Sequence, residues 1–161
     1  MKKEQNIWIL LRFTMSFILL WAFFDKLFGL GFSTQPGKAW IDGVLPTTGF
    51  LQWGVHGPLA FFYNNISSSQ IVAVLFMAGL FLIGLSLLLG IGVKIAGYSG
   101  ALLMLLMWSA LLPPKNNPFI DEHIVYALVF IGLTFVKPGH CCGLGKWWSK
   151  TKLVKKYTFL E

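Results

Sequence analysis

Charge is what this chain lacks most. Of its 161 residues only 12% are Asp, Glu, Lys or Arg, and just 6 are acidic. A soluble domain carries about a quarter charged residues and about 45–50% apolar ones, whereas this chain is 56% apolar with a mean hydropathy of +0.70. That deficit argues against a water-facing surface and for an integral membrane protein one domain long. Cysteine is also scarce. Cys141 and Cys142 are the only two, and their adjacency leaves no disulfide framework. Apolar–polar alternation of period two is missing, which argues against a β-barrel. No P-loop, dinucleotide fingerprint or nucleophile elbow occurs.

What the chain does have is long apolar runs. They predict four spans, at about residues 7–30, 69–90, 95–112 and 121–136. The expected fold is all-α: an integral membrane four-helix bundle over residues 1–140, with a basic cytoplasmic tail over 141–161. Lysines set the orientation. With both termini inside, the cytoplasmic face collects Lys2, Lys3, Lys94, Lys137, Lys146, Lys150, Lys152, Lys155 and Lys156. The outer loops keep only Lys38 and Lys115, offset by Asp42, Asp121 and Glu122. This asymmetry follows the positive-inside rule and predicts a multi-pass plasma-membrane protein. The net charge of +7 then reads as topology and contact with anionic lipid, not as nucleic-acid binding. Lys2 and Lys3 before an apolar run resemble a signal peptide, but no small-residue cleavage site follows, so the first span is expected to be retained.

The connection over residues 31–68 is far longer than an ordinary interhelical loop. Trp40, Phe50, Trp53, Phe61, Phe62 and Tyr63 make it too apolar to float in water, and its Gly and Pro make it too broken to span. Short helices capping the outer end of the bundle are expected, with Trp40 and Trp53 buried in protein or at the interface. Ser33-Thr34 before Pro36 reads as a helix start. In the third span Ala96 and Gly100, then Gly97 and Ala101, recur at helical spacing and permit close helix approach. Met104, Met107 and Trp108 form a stripe that reads as packing before it reads as a cofactor wall.

Two apolar stretches run short. Phe13–Phe24 lies between Arg12 and Asp25-Lys26, and Ile124–Val136 between Asp121-Glu122-His123 and Lys137. Each covers roughly 18–20 Å against a hydrocarbon core of about 30 Å. Charged groups drawn toward membrane depth usually face a bundle interior or a wet cavity. An outer cavity is therefore expected to gather Asp25, Lys26, His56, Asp121, Glu122, His123 and Tyr126, the last two on one helical face. Asp121 and Glu122 also suit the positive end of a helix dipole, and Asp25-Lys26 suits a structural ion pair. Arg12, near the inner interface, either snorkels to lipid phosphate or holds an anionic group or a quinone carbonyl. No metal is expected, since no H-x-x-x-H spacing exists. Cys141 and Cys142 do not form C-x-x-C, lack a fourth zinc donor beside His140, and suit acylation.

Arg12, Trp21–Leu27, Gly43–Leu51, Gly84–Gly92, Met107-Trp108, Pro113–Pro118 and Gly143–Trp148, in this order and spacing, resemble the DoxX/DoxD family of small membrane proteins over nearly the whole chain. The family is named for a subunit of an archaeal thiosulfate:quinone oxidoreductase. The resemblance implies a four-helix bundle and a membrane subunit of a quinone-linked redox system acting on a sulfur compound or thiol partner. It transfers no catalytic residue. Electrons need a carrier and no cofactor motif is encoded, so a redox partner protein is implied, with quinone as the only cofactor and a homo-oligomer open. The alternative is a non-enzymatic membrane scaffold or assembly factor; a carrier is disfavoured because no broken-helix pair is visible.

Overall fold

Helix ends fall where a side chain or a glycine satisfies the terminal backbone groups. Ser69 caps one helix by accepting from the Val72 amide, and Asp121 caps another by accepting from the His123 amide. Gly90 closes the first of these in a left-handed conformation, φ 73°, which glycine adopts without cost. The computed structural model describes residues 3–160, so Lys2 lies outside the described residues. Every regular element among them is helical: α1 (Lys3–Phe28), α2 (Ala60–Asn65), α3 (Gln70–Leu89), α4 (Val93–Ala110), α5 (Glu122–Val136), α6 (Gly145–Trp148) and α7 (Lys152–Lys156). Helices α1, α3 and α4 are long and apolar enough to cross a membrane. Helix α5 is apolar but only 15 residues long.

Helix α1 packs along α3, α3 on α4, α4 along α5, and α5 back on α1. Met15, Leu19, Met77, Leu87, Met104, Phe130 and Leu133 fill the space between them. Apolar side chains also cover the outside: Leu10, Phe17, Ile71, Leu82, Leu102, Leu128 and Phe135 are all exposed. A water-facing helix carries polar residues there. Small residues set the helix spacing. A side chain on Gly97 would strike Thr134 and the Phe130 carbonyl, and one on Gly100 would lie 2.6 Å from the Phe130 ring. The paired small residues of α4 thus admit α5.

The long connection folds into a 3-10 turn at Trp40–Asp42, a π-helical turn at Phe50–Gly54, and α2. Leu51 and Tyr63 are buried against Ala110 at the end of α4. Gly57 (φ 78°) lies against the Leu112 carbonyl, where any side chain would collide. The segment therefore caps one end of the helices. Trp40 is half-buried on the main core. Trp53 is not buried in protein: it is 86% exposed, because the π-helical turn buries Leu51 and directs Trp53 outward. Nor do Ser33 and Thr34 start a helix. Their amides and the Ser33 hydroxyl bind Asp25 instead, and the next helical turn waits until Trp40. At the other end, the segment after α5 is stitched to the helices. The Leu144 amide donates to Leu89 at 2.9 Å, and Trp148 Nε1 donates to Leu160 at 2.7 Å.

Candidate functional site

The seven residues expected in one outer cavity fall into separate local arrangements. Asp25, 1% exposed, accepts from the amides of Phe32 (3.2 Å), Ser33 (3.0 Å) and Thr34 (2.9 Å), and from the Ser33 hydroxyl (2.6 Å). Its carboxylate thus organises the chain leaving α1. His56 faces two backbone carbonyls, Gly54 from Nδ1 at 3.3 Å and Pro113 from Nε2 at 3.0 Å, and so ties the capping segment to the α4–α5 connection. Asp121 accepts from the His123 amide at 3.0 Å and pairs with His123 Nδ1 at 2.9 Å. Donor atoms of Asp121, Glu122 and His123 lie within 4.8 Å of one another, an arrangement that follows from capping α5. Tyr126 is half-buried on the main core. Among the described residues no hydrogen bond or ion pair joins Asp25 or Lys26 to the turn at Asp121–Tyr126.

Lys26 alone of the seven lines a large cavity. This space, about 470 Å³, lies at the capped end between the last turn of α1, the segment Pro46–Leu51, α2, α3 and α4. Its wall is almost wholly apolar, with Phe50, Phe62, Ile66, Phe76, Leu103 and Met107 contributing. Sequence reasoning missed Thr47 and Tyr63 here. Thr47 is 5% exposed, and its hydroxyl has no hydrogen-bond partner. The Tyr63 hydroxyl donates to the Leu106 carbonyl at 3.0 Å and lies 2.6 Å from Ser109 Oγ. Met107 lines the cavity while Met104 is buried in the core, so the methionine stripe divides between the two surroundings. No local sequence signal separates Tyr63 from its neighbours: it is buried while Phe61 and Phe62 beside it are exposed.

No protein-family model, curated protein or solved structure matches this chain. The site therefore rests on its geometry.

At the opposite end Arg12 is wholly enclosed. It is 0% exposed, so its guanidinium does not snorkel to the surface. Nη2 donates to the Cys142 carbonyl, the group lies 4.4 Å from the Phe13 ring centroid, and Nε and Nη1 have no protein partner. Gly90 and Gly143 pack so closely that a side chain on either would meet Nη1. Cys141 and Cys142 are both free and exposed.

Proposed function

We propose that this chain is a multi-pass membrane protein of the DoxX/DoxD kind, serving as the membrane subunit of a quinone-linked redox system. In this reading α1, α3, α4 and α5 form a four-helix membrane bundle, with α5 as the short fourth span. Both termini and the basic segment after α5 lie in the cytoplasm, on the lysine-rich side. A sulfur compound or thiol-bearing partner supplies electrons through a redox partner protein. Quinone, when bound, accepts two electrons and two protons.

The observation that carries this reading is the cavity. A lipid-soluble ring with an apolar tail needs an apolar slot and one or two hydrogen-bonding groups, within the roughly 300–1,000 Å³ of ordinary ligand sites. The volume of about 470 Å³, the aromatic and aliphatic wall, and the presence of Lys26 and Thr47 among the lining residues meet that description. Met107 and Phe76 give the ring a polarisable surface. In this reading the capping segment, which gives Pro46, Thr47, Phe50, Leu51, Phe62 and Tyr63 to the wall, covers the cavity on the water side.

Extraction of the protein, purified in mild detergent from its own membranes, tests the reading. Quinone should be recovered in amounts comparable to the protein. Recovery no greater than from an unrelated membrane protein carried through the same steps would end it.

A further inference from the structure

The polar groups of the cavity are few. Among its lining residues only Lys26, Thr47 and Tyr63 carry side-chain N–H or O–H groups. The Tyr63 hydroxyl is already engaged by Leu106 and Ser109. The Thr47 hydroxyl is buried without a partner. Lys26 makes no hydrogen bond or ion pair with any described residue. The neighbouring carboxylate, Asp25, is committed to the loop at Phe32–Thr34. Thr47 is therefore a buried donor without an acceptor, and Lys26, partly exposed, is a second donor on the same apolar wall. Buried polar groups are almost always hydrogen-bonded, and an exception calls for an explanation.

The walls supply the rest. Leu75 and Leu106 border the cavity yet are 66% and 50% exposed, so the space reaches the outer, apolar face where α3 meets α4. A ligand arriving from a bilayer would enter there, tail outermost.

We propose that the cavity takes one amphiphile whose head offers oxygen acceptors to Thr47 Oγ1 and Lys26 Nζ, its apolar body lying between α3 and α4. The shared head-group chemistry is that of a quinone carbonyl or a fatty-acid carboxylate. A head that can only donate leaves the Lys26 ammonium unmatched, and a pure hydrocarbon leaves both groups unpaired. The inference rests on the membrane reading above but not on redox chemistry.

Binding to the full-length protein in detergent distinguishes the sources. Three probes of similar length are used: a decyl-tailed benzoquinone, lauric acid and dodecane. One or both headed probes should bind at least about tenfold more tightly than dodecane, since a single well-made hydrogen bond contributes that much. Thr47→Val and Lys26→Met should each remove about tenfold of the affinity for the headed probe and leave dodecane binding unchanged. That unchanged binding also shows that the variant cavity is intact, and Thr47→Ser should restore the loss. Quinone binding with this pattern supports both the inference and the redox function. Lauric acid binding with quinone excluded supports the inference and removes the quinone function. Equal binding of all three probes, no binding of any, or variants that bind the headed probes as wild type does would overturn it.

Discussion

Arg12 in the first helix donates a hydrogen bond to the main-chain carbonyl of Cys142, 130 residues further along the chain. Around that bond lie Gly90 and Gly143, each close enough that a Cβ would meet the guanidinium. One side chain thus joins α1, the end of α3 and the segment after α5.

Removing that side chain should separate two contributions. Arg12→Ala empties a closed space and strands the Cys142 carbonyl, a loss of about 3–5 kcal/mol. Arg12→Met refills the space and strands only the carbonyl, a loss of about 1–3 kcal/mol. Unfolding in mixed detergent measures both, and equal losses would show that volume is not the difference.

Asp25 should prove a loop organiser. In Asp25→Asn, one oxygen becomes an NH2 group facing donors, so bonds to a charged acceptor are lost at about 2–4 kcal/mol. Hydrogen exchange at Phe32, Ser33 and Thr34 should quicken while α3 amides stay protected. Unchanged protection at those three amides would remove the role.

Lys26 and Asp121 belong to separate arrangements in the structure, so their effects should add. Lys26→Met and Asp121→Asn are expected to sum within about 0.5 kcal/mol in the double variant. A coupling above about 1 kcal/mol would place them in one network.

The glycines of α4 offer a graded series. Gly100→Ala meets the Phe130 ring, a side chain that can shift, whereas Gly97→Ala meets the Phe130 backbone carbonyl, 2.7 Å away, which cannot do so cheaply. Overpacking should cost about 1 kcal/mol at Gly100 and about 3 kcal/mol at Gly97. Gly79→Ala, with nothing within 4 Å, should be neutral or stabilising. Thermal denaturation would rank all three, and a reversed order would contradict the α4–α5 contact.

Much of the helical layout was legible because its determinants are local. Ser69, Gly90 and Asp121 mark their helix ends by side-chain chemistry or backbone freedom, and the apolar runs between them have the right length. The small residues of α4 were legible as packing residues, although nothing local names Phe130 and Thr134 as what they admit. The site was harder to read. Asp25 drew attention as a charge at membrane depth, but its partners sit seven to nine residues on, in a stretch whose Ser-Thr-Gln-Pro pattern reads equally as a helix cap. Thr47 looks like one of two threonines in a turn until α3 and α4 are placed beside it. Arg12 and Cys142 carry no sequence sign of each other, since only the packing of α1 against α5 and the turn Pro138–His140 brings them together.

The Gly90 corner leaves the helices unequally free along their length. At that end α3 and α4 are separated by only a few residues, and Arg12, Gly139 and the Leu144–Leu89 bond fasten the corner. At the cavity end the same two helices meet only through side chains and the capping segment. The fastened corner and the cavity mouth at Leu75 and Leu106 therefore lie at opposite ends of the same helix pair. A crosslink between α3 and α4 near those two leucines would obstruct the mouth while leaving the Gly90 corner as it is.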